Sequence, residues 1–344
     1  MNNNKSITYI LGAGASFQSI PIVSTFPGRF KQFMDTLTDF SSQNTIENSY
    51  RNNLQDAVEV SKELLKEFQD HQSFDTFFKK LYHVEDLKKI KIFKKILNLY
   101  FIWEHTNPGY NVSDLDSNIF TKQANIDKRY DALIAGLLRP IKGDKKLFCK
   151  TNFITWNYDL NLLSSIKNYF FPELPFSEMI NMIGKNETVW KINDQLSILN
   201  MNGFFYSSEF NDLKKLPQSN SPFLFDKKLT SNYLEDTFDD LDAESIRFAW
   251  ELENIEEVTN AAKKMITHSK NIVVIGYTFP LYNRLVDFKY LAHENLYNKK
   301  LFIQDPNALE LKEDFIEYFN IEVIRDSIIT KTSCNNFFVP QDIF

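Results

Sequence analysis

Residues 7–16 read Ile7-Thr8-Tyr9-Ile10-Leu11-Gly12-Ala13-Gly14-Ala15-Ser16, a short apolar strand that runs directly into a glycine turn. The chain has only nine glycines in 344 residues, so two of them one residue apart mark a close backbone approach or a positive φ. Between a strand and a helix, such a turn presents N–H groups that bind a phosphate. An ordinary strand-to-helix corner can have the same sequence, and the motif alone does not separate the two.

The bulk composition narrows the class of protein. Apolar residues make up 43% of the chain and charged residues 24%, close to the average for globular proteins, and the net charge of -6 argues against nucleic-acid binding as the main activity. The apolar run at residues 7–11 is shorter than the roughly 7–15 residues of a secretory signal, and no run approaches the ~18 of a membrane-spanning helix. We therefore expect a cytoplasmic protein that does not associate with membranes.

The cysteine count limits metal chemistry. Cys149 and Cys334 are the only cysteines, which excludes a four-cysteine zinc site and a disulfide framework. We expect a reducing compartment and no zinc.

Hydrophobic periodicity predicts one α/β domain over residues 1–344. A Rossmann-like part at residues 1–30 and 145–344 surrounds a large helical insertion at about residues 31–144, and the mostly parallel sheet has helices on both faces. Residues 204–240 are predicted to form a long irregular excursion. Helices are predicted at residues 28–37, 46–68, 73–82, 85–103, 127–138, 160–169, 244–268, 283–295 and 309–318. Strands are predicted at residues 7–11, 147–155, 189–192, 196–201, 271–276, 301–304 and 321–324.

A dinucleotide-binding dehydrogenase is a poor match to this pattern. Such enzymes carry a third glycine and an acidic residue at the end of a second strand about 20 residues later. Here Phe17 stands in place of the third glycine, and Asp35 lies inside a predicted helix.

Four predicted strands end in glycine or polar residues. Because parallel strands present their carboxyl ends at one edge of a sheet, we expect these four ends to meet at one crevice. Asn157 and Asp159 could instead be ordinary turn-forming or capping residues. The four ends are Gly12-Ala13-Gly14-Ala15-Ser16, Thr155-Trp156-Asn157-Tyr158-Asp159, Asn200-Met201-Asn202-Gly203 and Gly276-Tyr277-Thr278-Phe279-Pro280.

These elements, in this order around a helical insertion, resemble the sirtuin-like family. The chain is more similar to the NAD-hydrolysing domains of the bacterial antiphage-defence branch than to the protein deacylases. Three further stretches carry the resemblance, which covers nearly the whole chain: Ile20-Pro21, Ser73-Phe74-Asp75-Thr76-Phe77 and Asp305-Pro306-Asn307.

The resemblance implies NAD as the ligand and assigns roles to individual residues. Asn157 would lie beside the nicotinamide ribose and orient a water or hydroxyl, with Asp159 as its structural partner. The later turn, Gly276-Tyr277-Thr278, would contact ribose and phosphate, and Asp305 or Asn307 would approach the adenosine end. The turn Gly12-Ala13-Gly14-Ala15-Ser16, with Pro21 beyond it, would hold the diphosphate.

Asn202 is where the chain departs from the family. The resemblance implies a histidine before Gly203, and the chain has Asn202 there. An amide can accept a hydrogen bond but cannot take up a proton as imidazole does. Three explanations stay open: Asn202 is the natural residue, it is an inactivating substitution, or another group does this work.

The leading hypothesis is an NAD glycohydrolase of antiphage defence that releases nicotinamide and ADP-ribose, inactive or attenuated through Asn202. The second is a non-catalytic NAD or ADP-ribose sensor or assembly module. A protein deacylase ranks third, and a structural module that binds no ligand ranks last. The resemblance also implies a homo-oligomer or a partner protein of the same defence system.

Overall fold

The computed structural model describes residues 6–42, 48–71, 73–106, 126–141, 143, 145–183, 188–203, 246–248, 250–251 and 255–344. The chain divides into two compact units. One contains the described residues from Phe17 to Thr106 together with Ile246, and the other contains the described residues of 6–16, 126–203 and 247–344. The predicted excursion at residues 204–240 lies outside the described residues.

The first unit is helical. A buried ion pair between Arg29 and Glu104, with the Arg29 Nε 2.9 Å from Glu104 Oε2, lies inside it, and the Tyr100 hydroxyl donates to the same carboxylate. Arg29 also stacks over the Trp103 ring at 4.4 Å. Its helices are α1 (Phe26–Ser41), α2 (Asn48–Phe68), α3 (Phe74–His83) and α4 (Leu87–Thr106).

The second unit is built on a seven-stranded sheet in the order β3-β4-β2-β1-β5-β6-β7. All neighbouring strands pair parallel except β3 with β4. If the antiparallel edge strand β3 is set aside, the other six strands have the doubly wound order, in which the order of the strands reverses between β1 and β5. The strands are β1 (Ser6–Leu11), β2 (Lys150–Thr155), β3 (Val189–Lys191), β4 (Leu196–Asn200), β5 (Asn271–Ile275), β6 (Lys300–Gln304) and β7 (Ile328–Lys331). The predicted Rossmann-like α/β fold is confirmed.

Both faces of the sheet are buried, which explains the continuous apolar strands. On one face Ile10, Ile154, Leu199, Val274 and Ile303 belong to a single core with the helices that cover them. On the opposite face the rings of Tyr9 and Phe153 stack at 5.2 Å. The helices of this unit are α5 (Lys128–Leu137), α6 (Asn161–Phe170), α7 (Phe176–Ile183), α8 (Ile255–His268), α9 (Arg284–Tyr290), α10 (His293–Leu296) and α11 (Ala308–Phe319).

The predicted strand at residues 321–324 is wrong. Helix α11 ends at Phe319, and its C-cap Asn320 has a φ of 49° that turns the chain. The Ile321 N–H then donates to the Ile316 carbonyl at 3.1 Å. The following residues form a 3-10 helix, Glu322–Ser327, and the last strand is β7. Ile321 and Ile324 are both buried in the core, and their spacing of three fits the three-residue turn rather than strand alternation.

Other boundaries differ more modestly. The helix predicted at residues 283–295 is two helices, α9 and α10, and α7 was not predicted. The long helix predicted at residues 244–268 is described from Ile255 onward. Residues 246–248 and 250–251, which were also predicted to be helical, are not. No helix in the described part of the chain combines the length and apolarity needed to cross a bilayer.

Candidate functional site

The glycine turn after β1 packs directly against the turn after β5. Gly12 donates its N–H to the Ile275 carbonyl and Gly14 donates its N–H to the Gly276 carbonyl, both at 3.0 Å. A Cβ atom on Gly12 would lie 2.4 Å from the Gly276 oxygen, and one on Gly276 would lie 2.4 Å from the Ala15 nitrogen. The three glycines are therefore required because two backbones touch at the point where the strand order reverses.

This packing changes which groups a phosphate can reach. The sequence predicted that free N–H groups of the turn receive an anion, but Gly12 donates its N–H to Ile275 at the end of β5 and Gly14 donates its N–H to Gly276 in the turn that follows. Ala15 also donates its N–H within the turn, to Gly12 at 2.9 Å. Ala13 is exposed and Gly14 is partly exposed, so a ligand meets the turn from the side of these two residues.

The corner after β2 contacts the corner after β1. The Asn157 carboxamide Nδ2 lies 3.2 Å from the Ser16 hydroxyl and 3.4 Å from the Tyr130 hydroxyl, and the two hydroxyls are 3.0 Å apart. Asn157, Ser16 and Tyr130 are all buried. The two sequence motifs that were expected to face each other are thus hydrogen-bonded.

Asp159 completes this group. Burial raises the pKa of its carboxyl, while hydrogen bonds from Ser16 and Asn161 act in the opposite direction. Asn161 donates to Asp159 Oδ1 from its backbone N–H at 2.9 Å and from Nδ2 at 2.7 Å. Ser16, Tyr130, Asn157 and Asp159 together are called the Ser16 cluster below.

Tyr130 and its neighbours at the start of α5 were missed by the sequence prediction. Arg129 pairs with Asp127 through Nε and Oδ1 at 2.9 Å, and its Nη2 donates to the Ala15 carbonyl at 2.9 Å. The Asp127 N–H donates to Asn161 Oδ1 at 2.8 Å. The first turn of α5 is therefore tied to both corners. The sequence assigned this helix to the insertion, whereas it lies in the unit of the sheet.

Asn202 lies two residues after β4, beside the corner after β2. Its Nδ2 donates to the Trp156 carbonyl at 2.9 Å, and its backbone carbonyl accepts from the Arg247 N–H at 2.7 Å. The side-chain oxygen Oδ1 is buried and has no hydrogen-bond partner among the described residues. The same is true of Oδ1 of Asn200, two residues earlier. Both oxygens are acceptors at the carboxyl edge of the sheet.

The residues of the turn after β5, Gly276 to Thr278, lie in different environments. Gly276 has a φ of 58°, and Thr278 is exposed. The Tyr277 ring is buried and stacks on Trp156, with ring centroids 5.5 Å apart. Its hydroxyl donates to Asp287 Oδ2 at 2.8 Å, so this side chain belongs to the core below the edge.

The remaining predicted ligand-binding residues are Asp305, Asn307 and Pro21, and the contacts described here for them involve residues outside the Ser16 cluster. Asp305 and Asn307 follow β6, where the Asn307 N–H donates to Asp305 Oδ1 at 2.9 Å and the Asp305 N–H donates to the Lys331 carbonyl at 3.1 Å. Burial raises the pKa of the Asp305 carboxyl. Pro21 belongs to the helical unit and is partly buried.

The site is thus an edge of amide, hydroxyl and backbone groups that also includes the Asp159 carboxyl. Nowhere in the described residues do three or more His, Cys, Asp or Glu side chains gather in a way that could hold a metal ion. No protein-family model matches the chain, and no curated protein is significantly similar to it.

Proposed function

We propose that this chain binds NAD at the carboxyl edge of β4, β2, β1 and β5 and hydrolyses it to nicotinamide and ADP-ribose. One observation carries the proposal: Asn157 at the end of β2 is hydrogen-bonded to Ser16 of the glycine turn after β1. This contact lies beside the reversal point of a doubly wound sheet, where such folds bind dinucleotides.

The residues at this edge suit a hydroxyl-rich ligand with a diphosphate. The buried Asn202 Oδ1 has no partner in the described part of the chain and would accept a hydrogen bond from a ligand hydroxyl. The Gly12 to Ser16 turn, with Ala13 exposed, would hold the diphosphate. Residues Gly276 to Thr278 would contact ribose and phosphate, and Asp305 or Asn307 would approach the adenosine.

Asn157 is the residue to which we assign the chemistry. Both hydrogen bonds of its side chain within the described residues use Nδ2, so Oδ1 is the atom that would orient a water or ribose hydroxyl. Asp159 would support this arrangement through Ser16. Cleavage of the nicotinamide–ribose bond develops positive charge on the sugar, as in other glycosidic cleavages, and an oriented amide oxygen stabilises such charge.

Asn202 sets the expected rate. A carboxamide cannot accept the proton that a histidine at this position would take, and loss of a positioned general base typically costs roughly 10²–10⁴ in rate. We therefore propose an attenuated hydrolase. Its biological setting would be cytoplasmic antiphage defence, with a second copy of the chain or a defence partner completing the active assembly.

A second candidate is a non-catalytic NAD or ADP-ribose sensor. The observation that favours it is the hydrogen bond from Asn202 Nδ2 to the Trp156 carbonyl. This bond holds the Asn202 side chain in place and leaves its Oδ1 as the atom that can accept a hydrogen bond from a ligand. In that role, ligand occupancy would alter assembly without turnover.

The test compares the wild-type chain with the Asn202→His variant and with the double variant N157A/N202H. NAD binding is measured by calorimetry, and nicotinamide release is followed by chromatography. We expect NAD binding in the wild type, faster release in N202H, and loss of that gain in the double variant. Binding without release even in N202H would favour the sensor. Neither binding nor release in any variant would contradict both candidates.

A further inference from the structure

We propose that Tyr130 is a positioning residue for Asn157, a role that rests on the proposed NAD site. Tyr130 lies in the first turn of α5, is 1% exposed, and contacts Ser16 and Asn157 through its hydroxyl. That hydroxyl is 3.0 Å from Ser16 Oγ and 3.4 Å from Asn157 Nδ2. The sequence gives no sign of this role, because nothing links α5 to a strand end.

The direction of each hydrogen bond follows from the number of protons. The hydrogen bond from Ser16 lowers the pKa of the Asp159 carboxyl, so we assign the single Ser16 proton to Asp159, and Ser16 Oγ then accepts from its other neighbours. Tyr130 then donates its proton to Ser16 and offers a lone pair to Asn157. Asn157 Nδ2 lies within hydrogen-bonding distance of two acceptor oxygens, Ser16 Oγ and the Tyr130 hydroxyl, which share one of its N–H groups because they lie only 3.0 Å apart.

This arrangement fixes which way the Asn157 carboxamide faces. A rotation that exchanged Nδ2 and Oδ1 would place the amide oxygen against the Ser16 and Tyr130 oxygens, whose protons are already committed. The carboxamide is therefore held with Oδ1 on the side away from the cluster, where a ligand hydroxyl or water would meet it. Without the Tyr130 hydroxyl, one of the two acceptors that enforce this orientation is lost.

Helix α5 is anchored so that the hydroxyl keeps its place. Arg129 connects it to the Ala15 carbonyl of the glycine turn, and Asp127 connects it to Asn161 of α6. The Tyr130 ring packs edge-on against Phe337, with centroids 4.9 Å apart. A phenylalanine at position 130 would keep the ring contact and remove only the hydroxyl.

The first experiment measures the affinity for NAD of four proteins: wild type, Y130F, N157A and the double variant Y130F/N157A. One lost buried hydrogen bond predicts about threefold to tenfold weaker NAD binding in Y130F. Because Tyr130 acts through Asn157, adding Y130F to N157A should change the affinity less than twofold. Y9F is the matched control, since Tyr9 is also buried and donates its hydroxyl to the Phe338 carbonyl at 3.3 Å.

The second experiment needs no ligand. In protein labelled with ¹⁵N-asparagine, the side-chain NH₂ signals of Asn157 are assigned by their loss in N157A and compared between wild type, Y130F and Y9F. We expect them to move in Y130F and to stay unchanged in Y9F. If they move while no protein binds NAD, the proposed function fails and the positioning role stands. Unmoved signals in Y130F, or additive losses of NAD affinity in the double variant, would overturn the inference.

Discussion

The N–H of Gly14 donates a hydrogen bond of 3.0 Å to the carbonyl oxygen of Gly276, residues separated by most of the chain. This bond joins the turns that follow β1 and β5, the two strands between which the sheet order reverses. In a doubly wound sheet that point is where the crossovers part toward opposite edges and leave a crevice. Here the two glycine turns are in backbone contact at that point.

Gly276→Ala should destabilise the sheet unit strongly. The φ of 58° disfavours any Cβ, and the added atom would lie 2.4 Å from the Gly14 carbonyl carbon and the Ala15 nitrogen, which are backbone atoms that cannot move aside cheaply. We expect a loss of about 2–4 kcal/mol in the free energy of unfolding, measured by urea denaturation. The control is Gly136→Ala at an exposed position of α5, where the added Cβ would meet no atom within 4 Å apart from the adjoining backbone of its own helix. That change should stabilise by up to about 1 kcal/mol, and equal losses in both variants would contradict the packing argument.

Ser16→Ala should disturb three partners at once. The variant removes the donor to Asp159 and the acceptor shared by Tyr130 and Asn157. Because the Ser16 hydrogen bond lowers the pKa of Asp159, its loss should raise that pKa further. Carboxyl ¹³C NMR titration measures this shift, and unfolding should become easier by about 1–3 kcal/mol. An unchanged Asp159 titration would show that Ser16 does not donate to it.

The fold was predictable because its signals are local and continuous. Residues 7–11 carry apolar side chains on both faces of the strand and run directly into the glycine turn, and β1 is indeed buried throughout. Once the strands were recognised, their carboxyl ends had to share an edge, so the contact between Ser16 and Asn157 followed from parallel pairing. The strand predicted at residues 321–324 failed for a local reason. Asn320 has a left-handed φ and forms a helix cap at the point where the strand was expected to start.

Tyr130 was not predictable for a physical reason. It lies on the buried stripe of α5 with Leu133, Ile134 and Leu137, where an aromatic ring is ordinary core packing. Only the position of its hydroxyl, at the far end of a buried ring, distinguishes it, and that depends on where α5 docks. Helix docking is set by tertiary contacts such as Arg129 to Ala15, which leave no periodic trace in the sequence.

Arg129→Met should be costly, since it leaves the Asp127 carboxylate buried without its partner. Arg129 and Asp127 are 4% and 0% exposed in their side chains, and the arginine also donates to the Ala15 and Cys334 carbonyls. Breaking a buried pair from one side costs about 3–5 kcal/mol. The double variant D127N/R129M should recover part of this loss, because no charge is then left unpaired. Urea denaturation checks both values, and an equal loss in the single and double variants would argue against the charge explanation.

Arg325 provides the matched control for that substitution. It forms ion pairs with Glu313 and Glu322 on the surface, where both partners remain solvated when the arginine is removed. Arg325→Met should therefore leave the urea midpoint nearly unchanged.

Asp287 should make the stability of the sheet unit depend on pH near neutrality. Burial raises the pKa of its carboxyl from 3.8 to about 7, opposed by hydrogen bonds from Tyr290 and Tyr277 and by the charge of Arg284. Between these two pKa values the folded state holds a proton that the unfolded state has released, so stability falls as pH rises from about 4 to 7 and the loss is complete above the folded pKa.

Asp287→Asn tests this directly, because the amide cannot titrate. Between pH 5 and pH 8 the wild type should lose stability, by an amount of the order of a few kcal/mol, that D287N does not lose. Urea midpoints at both pH values measure the difference. Tyr290→Phe removes the shorter of the two tyrosine hydrogen bonds, 2.5 Å against 2.8 Å, and should move the pH midpoint upward. If wild type and D287N lose stability in parallel, the ionisation responsible lies elsewhere and the Asp287 carboxyl stays in one protonation state across this range.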